Sequence, residues 1–520
     1  MEVSFPILTS LVFLPLVGAV VTYALGATTR AAKWAAMAFS LLVLALGTIL
    51  LLGFLSPGLF TLSKTVIPSA SGGAAQAYYG MERVDWVNIQ GFTVQYTLGA
   101  DELSVVLVFL NALLTPLALA IGWDEHHRLS EFFALFLFME TTVNGVFLSL
   151  DLFQFMIFWE VGLVPMYFLI AVWGGPRKRY AAIKFFMYTF LASLPLLVAI
   201  FAMYFYSNPH TFDMTWIIAH DPVPAGAIQD LMFVAMLVAF GTKLPTWPLH
   251  TWLPDAHVEA PTGGSVILAG ILLKLGGYGL IRFNVQMIPE GALDLYWLLL
   301  IVGTISILYG AIVCLAQDDL KRMVAFSSVS HMGFVTLGIA AGVYGFAHSP
   351  LQAGAALGFS GAVFQMFAHG LISAALFMVA GALGHKIGTR NISDLGGITK
   401  VAPRTATYMM VSFLASLGLP GLVGFAAEYA VFVGVYAAFG LFVFIPILTV
   451  VFTAAYFIFA MQRAIFGPLN PRWEKMKDLE DFEAAPLSIL AVTFAIFGIL
   501  PILIYQLLTP WATAILRGIL

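Results

Sequence analysis

Three charged side chains stand where apolar residues are expected. Glu160 interrupts DLFQFMIFWEVGLVPMYFLIAVW, Lys243 closes LMFVAMLVAFGTK just ahead of Leu244-Pro245, and Lys274 lies inside VILAGILLKLGGYGLI. A charge at the centre of a bilayer costs roughly 2.5–3.5 kcal/mol on insertion scales. Retaining such charges in three neighbouring segments points to an ion or proton path. A carboxylate facing an ammonium keeps both groups charged, whereas burial alone drives each towards neutrality. Glu160 opposite Lys243 is therefore expected to act as a protonation switch; a purely structural ion pair is the blander alternative. Lys274 is expected to take up and release protons, because snorkelling to the interface suits a position nearer a helix end.

Further residues extend the set. Glu428 follows a Gly- and Pro-rich interruption in LGLPGLVGFAAEYAVF. It is expected to be a terminal relay carboxylate, with a partner for backbone groups freed at the break as the alternative. His331 (FSSVSHMGFV) and His369 (FQMFAHGLISAALF) are histidines in apolar surroundings. Such a residue is either a hydrogen-bonded core histidine or a link in a proton wire, and the wire is expected. Glu140, in LFLFMETTVNGVFLSL, is expected to be an auxiliary site, and Asp151, at a segment edge, to be interfacial. The stretch PLHTWLPDAHVEAPT holds His250, Asp255, His257 and Glu259, residue types that ligate metals. A capped turn with a helix start at Pro261-Thr262 accounts for it equally, so a structural or gating loop is expected and no metal is assigned. Haem held between His331 and His369 would leave the buried charges unexplained.

These residues must be positioned by membrane helices. The chain has 520 residues, 61% hydrophobic and only 10% charged, where soluble domains carry about 25% charged residues. The mean hydropathy is +0.96. An all-α polytopic membrane protein is expected, because the apolar runs exceed what a membrane-barrel strand needs. The single cysteine, Cys314, excludes a disulfide or a four-cysteine cluster within the chain. No glycine-rich nucleotide fingerprint follows a strand, and no nucleic-acid partner is expected. The start, SFPILTSLVFLPLVGAVVTYALG, lacks a basic leader and reads as a first span, not a removable signal.

With about 20 apolar residues per span, fourteen spans are expected, near 7–26, 33–55, 101–122, 131–149, 152–173, 181–206, 228–249, 260–284, 294–315, 322–344, 356–384, 405–437, 442–466 and 484–508. Pro245 and Pro248 break the seventh, and Gly418, Pro420, Gly421 and Gly424 the twelfth. Of the 23 basic residues, seventeen lie in or beside the loops that follow odd-numbered spans. Lys64, Arg83, Arg282 and Arg517 lie on the opposite side, and Lys243 and Lys274 within the membrane. This bias places the richer side in the cytoplasm and both termini on the outer or lumenal side. The loop 56–100 then faces outwards as a small hairpin or cap. Interrupted spans at corresponding places imply two inverted five-helix repeats. The expected organisation is 1–130 (spans 1–3), 131–285 (spans 4–8), 290–468 (spans 9–13) and 469–520 (a charged loop and one last span).

The motifs FWEVGLVPMYFLIAVWGG, GTKLPTWPLHTWLPDAHVEAPTGGSVILAGILLKLGGYGLIRF, QDDLKRMVAFSSVSHMGF and FAHGLISAALF resemble the antiporter-like subunits of respiratory complex I, over roughly 100–470. Glu428, where most members carry lysine, and FWEVGLVPMYFL resemble the M type (subunit 4). The lack of a long amphipathic C-terminal extension separates the chain from the L type. The resemblance implies that Glu160 and Lys243 form the coupling pair and that Lys274 is the central lysine. It also implies that His331 and His369 lie on a hydrated axis, that Glu428 marks the distal half-channel and that Glu140 is an additional carboxylate. It implies no cofactor on this chain, with FMN, iron–sulfur clusters and quinone in other subunits. Expected partners are antiporter-like neighbours of the L and N types, the peripheral arm indirectly, and membrane lipids. The membrane is expected to be energy-transducing: a prokaryotic plasma membrane, with thylakoid or organellar inner membrane as alternatives. A subunit of a sodium/proton antiporter or membrane-bound hydrogenase is the alternative function.

Overall fold

The computed structural model describes residues 5–26, 30–56, 58–68, 75–89 and 92–519. Apolar segments in a bilayer have no external backbone partner, so they close their hydrogen bonds as helices. Helices α1 (Ile7–Ala24) and α2 (Arg30–Leu55) precede an antiparallel sheet, β1 (Lys64–Ile67), β2 (Gln76–Ile89) and β3 (Phe92–Ala100), in the order β1-β2-β3. The sheet occupies the segment expected to form a hairpin or cap. Glu82 of β2 accepts from the backbone N–H groups of Leu8 (3.0 Å) and Thr9 (3.1 Å), donors that the first turn of α1 leaves open. Arg83 pairs with Asp213 at 2.5 Å. The sheet thus clamps one end of the bundle, the sheet end. The opposite, basic end carries Lys178, Lys321, Arg390 and Arg404.

The bundle continues through α3 (Glu102–Ile121), α4 (Leu129–Leu148), α5 (Leu152–Val161), α6 (Leu163–Trp173), α7 (Lys178–Tyr206), α8 (Met214–His220), α9 (Ala227–Lys243) and α10 (Leu253–Glu259). The segment Thr262–Val285 is one rod: α11 (Thr262–Ile267), a π-helical turn Leu268–Leu272, α12 (Leu273–Gly279) and a second π turn Leu280–Val285. Then follow α13 (Pro289–Leu315), α14 (Leu320–His348), α15 (Gln352–Ile387), α16 (Pro403–Ser416), α17 (Val423–Phe439), α18 (Phe444–Met461), α19 (Asp481–Ile499) and α20 (Ile502–Gly518).

Among the described residues twelve segments are long and apolar enough to cross a membrane, where fourteen were expected. The difference lies at the interruptions. Helix α9 stops after 17 residues and α16 after 14, while Val423–Phe466 runs on as a single apolar stretch. The 152–173 segment keeps its expected bounds as one span, with a single-residue interruption at Gly162 between α5 and α6. The last span is two helices, α19 and α20, because Leu500 leaves helical geometry ahead of Pro501.

The most apolar windows of Thr262–Val285, α14 and α15 are wholly buried, whereas those of α2, α7 and α19 are only one-third buried. A helix apolar on all sides belongs inside a bundle. The helices bearing Lys274, His331 and His369 are therefore the innermost ones. Small residues bring α17 against them: a Cβ on Gly358 of α15 would lie 2.5 Å from Gly434 Cα of α17. That close approach carries Glu428 to the centre.

Candidate functional site: a buried chain of ionisable groups

Lys274 lies at the start of α12, just after the first π turn, and has no exposed surface. Its ammonium donates to the Ala269 carbonyl at 2.5 Å and lies 2.8 Å from His369 Nδ1. With Nδ1 accepting, a neutral His369 holds its proton at Nε2. The rings of His369 and His331 are 5.8 Å apart between centroids. His331 Nδ1 is 3.0 Å from Glu428 Oε1, and its Nε2 is 3.1 Å from Ser416 Oγ. Lys274, His369, His331 and Glu428 thus lie in one series on four helices, with His369 rather than His331 next to the lysine. The break between α16 and α17 makes room for its end. Gly418 turns with φ +81°, and a Cβ there would approach Glu428 Oε2 to 3.1 Å.

The other expected pair is not joined. Lys243 is the last residue of α9, where the carbonyl end of a helix favours a cation. Its ammonium donates to the Trp159 carbonyl at 3.3 Å and stands 3.7 Å from the Trp159 ring centroid. The half-buried Glu160 carboxylate instead takes a hydrogen bond from the Ser193 hydroxyl of α7. No salt bridge among the described residues links Glu160 to Lys243, so the pair expected to act as a switch stands open here. Each member has found a different partner, and the indole of Trp159 holds the lysine. A cavity of about 10 Å³ lies beside Lys243, lined by Gly162, Thr189, Trp252 and Leu272 among others.

Glu140 is buried on α4, and Asn111 donates to its backbone carbonyl at 3.3 Å. No hydrogen bond or ion pair among the described residues joins it to the other six. Asp151 caps α5, accepting from Phe153 (2.9 Å) and Gln154 (3.0 Å) N–H. Burial pushes its carboxyl up to about 7.

Sequence reasoning missed three groups. His257, read as part of a turn, is fully buried on α10 with its ring stacked on Phe377. Neither of its ring nitrogens has a partner among the described residues. It feels the charges of both Lys321 and Lys274. Lys321, counted among loop cations, is buried and donates to the Ala260 carbonyl at 2.9 Å. It borders a 610 Å³ opening at the basic end, shared with Glu259, Asp319, His385 and Arg390. Arg282, assigned to the opposite surface, has no exposed surface and pairs with Asp101 at 2.7 Å. The signal for Arg282 was in the sequence: 274, 278, 282 and 286 are all polar at helical spacing. Prolines on both sides of His257 masked it as loop. Among the described residues no three His, Cys, Asp or Glu side chains are grouped to hold a metal. The arrangement sets Lys274 against His369 and His331 against Glu428 with the two imidazole rings side by side, an array of protonatable groups suited to proton movement.

Comparison with known proteins agrees with this chemistry. The family model described as NADH:quinone oxidoreductase/Mrp antiporter, TM, matches residues 149–454. F(420)H(2) dehydrogenase subunit M of Methanosarcina mazei is 40% identical, over 95% of this chain and 95% of its own length. NADH-quinone oxidoreductase subunit M of Rhodobacter capsulatus is 36% identical, over 97% and 95% respectively. Among solved structures, a chain of respiratory complex I from Thermus thermophilus superposes with a TM-score of 0.84 at 27% identity, covering 98% of this chain and 99% of that one. The chain belongs to the membrane-subunit family shared by NADH:quinone oxidoreductases and Mrp antiporters, and the resemblance read from its motifs is borne out.

Proposed function

We propose that this chain is a proton-pumping membrane subunit of a complex I-type NAD(P)H (or ferredoxin):quinone oxidoreductase, with electron transfer carried by other subunits. The observation that carries the reading is the alignment of Lys274, His369, His331 and Glu428 through the innermost helices, with neighbouring rings at the His369–His331 step. Protons enter from the basic end through the opening beside Lys321 and Glu259, and His257 passes them to Lys274. A charge change arriving from a neighbour closes or opens the Glu160–Lys243 pair. The field of Lys243 then sets whether Lys274 keeps its proton or gives it to His369. The opened backbone after α9 and between α16 and α17 lines the path at membrane depth, where irregular backbone is tolerated only against protein or water. The two halves act as inverted repeats. FMN, iron–sulfur clusters and quinone sit elsewhere in the assembly.

The same rule identifies the neighbours. At the α16–α17 break Leu419 is 40% exposed, with Phe425 and Tyr429 beside it. Broken backbone of this kind does not face lipid, so another membrane subunit covers it. The face holding Glu160 is likewise open at Phe168 and Leu191. Antiporter-like subunits of the L and N types fit these two faces. The basic end then lies in the cytoplasm of a prokaryotic plasma membrane, with both termini on the other side.

The test is a His369→Leu variant of the whole assembly, reconstituted in liposomes. Proton uptake per electron is expected to fall to background while mass spectrometry still finds iron–sulfur and quinone-site subunits. Unchanged pumping would remove the chain from the path. Co-purification of small antiporter subunits alone, without iron, would move the chain to the gradient-driven class.

A further inference from the structure

That mechanism leaves several buried charges unused, and Arg282 is the most deeply enclosed of the cations among them. Arg282 lies eight residues beyond Lys274 on the same rod, towards the sheet end, and is fully enclosed. Lys274 and Tyr278 share a face of α12, because residues four apart on an α-helix lie one above the other. From Tyr278 the polar groups continue by contact. Arg282 Nε donates to Tyr278 Oη at 3.3 Å, and its Nη1 donates to Gln286 Oε1 at 3.0 Å. Beyond Gln286 a cavity of about 20 Å³, bordered by Gln76 and Tyr78 at the sheet end, has room for about one water. Polar side chains therefore reach from the central lysine to the far side of the bundle.

We propose that Arg282 and Asp101 form a proton-tight plug that closes the sheet-end half of this stripe, leaving Lys274 open only to the basic end and to His369. The inference rests on Lys274 being a proton site. Every group in the plug is already engaged. Arg282 Nη2 donates to Asp101 Oδ2 at 2.7 Å, which also accepts from Trp511 Nε1 at 3.2 Å, while Asp101 Oδ1 accepts from Ser104 N–H at 2.9 Å. The Tyr278 hydroxyl donates to the Phe147 carbonyl at 3.2 Å. A guanidinium does not release its proton at physiological pH, so it cannot hand one on. A fixed cation in a narrow path also repels a hydrated proton, the device by which water pores exclude protons. The carboxylate beside it already accepts from three donors, which fill most of its lone-pair sites and hold it in place. At the basic end the opposite holds: His257 has two unengaged nitrogens and the opening beside Lys321 measures 610 Å³. A pump must not connect both sides to its central site at once, and Arg282 supplies the side that stays shut.

The experiment reads passive leak in the whole assembly. The complex is reconstituted into potassium-loaded liposomes with a pH dye inside, and valinomycin sets an inside-negative potential with no electron donor present. Arg282→Gln is expected to acidify the interior about fivefold faster than the unaltered complex, since the amide keeps a hydrogen-bonding path but loses the fixed charge. Arg282→Gln combined with Lys274→Met is expected to return to the unaltered rate, because the leak passes through Lys274. Trp511→Phe, which removes one donor from Asp101, is expected to leak about twofold faster. An assembled Arg282→Gln complex that stays tight overturns the plug. If that variant does not assemble, a tight Trp511→Phe complex overturns it. A leak that survives Lys274→Met overturns the connection to Lys274. Failure of the underlying proton-site reading shows separately, as normal redox-driven pumping by Lys274→Met alone.

Discussion

The two halves of the chain each hold a carboxylate and a base beside an interrupted helix, and they hold them differently. At the α16–α17 break, His331 and Glu428 are in contact at 3.0 Å. At the end of α9, Lys243 and Glu160 are apart, the one held by the carbonyl and ring of Trp159 and the other by Ser193. A closed pair inside a bundle is stabilised by its own attraction, and breaking it strands a charge at a cost of several kcal/mol. An open pair whose members have other partners can close or reopen at a far smaller cost. On the proposed mechanism the first-half pair is the mobile one and the second-half pair the fixed terminus.

The sharpest way to break this comparison is to neutralise each carboxylate in turn. Glu160→Gln keeps an acceptor for Ser193 but removes the charge that Lys243 responds to. Redox-driven proton uptake is expected to vanish while subunit content stays intact; full pumping would show that the open pair controls nothing. Glu428→Gln keeps an acceptor for His331 and leaves Ser416 in place. It removes the carboxylate that ends the proton chain, and an amide cannot take up its proton, so a loss of roughly a hundredfold in pumping rate is expected. Pumping at the unaltered rate in Glu428→Gln, measured in the same liposome preparation, would show that the second-half pair is not the terminus of the path.

Most of this arrangement was legible in the sequence for one reason. A polar group in an apolar run is costly enough to stand out, so Lys274, His331, His369 and Glu428 could be picked out before any contact was known, though the order of the two histidines could not. The apolar pattern located the helices but not their internal breaks. Leu500 divides a span that reads as continuous, because a single residue that leaves helical geometry does not change the surrounding hydropathy. Arg282 and Lys321 were assigned to surfaces because they lie near the ends of apolar runs. Their partners, Asp101 and the Ala260 carbonyl, lie 181 and 61 residues away in sequence, and no local pattern reports such pairings. The state of the Glu160–Lys243 pair was illegible for a different reason. Its residues were correct, but whether they touch depends on Trp159 and Ser193, whose types are ordinary in a membrane helix.

Trp159 therefore provides the finest test of the open pair. Its indole lies against the Lys243 ammonium at 3.7 Å and packs edge-on to Phe240 at 5.4 Å. Indole is the best of the aromatic rings for holding a cation, and such contacts are worth about 0.5–2 kcal/mol. Trp159→Phe retains a ring in the same packing and leaves the backbone carbonyl in place, so only part of that hold is lost. Lys243 is then freer to reach Glu160, and the balance shifts towards the closed pair by about 1 kcal/mol, which is about fivefold in population. A pump that must visit both states slows when either is favoured too strongly. The expected result is a two- to fivefold lower pumping rate with normal subunit content, on the order of that population shift. The double variant Trp159→Phe/Glu160→Gln should be no worse than Glu160→Gln alone, because without the carboxylate there is no closed state to favour. Additive losses in that double-mutant cycle would mean that Trp159 acts on pumping by some route other than Lys243, and the open geometry seen here would then carry no control.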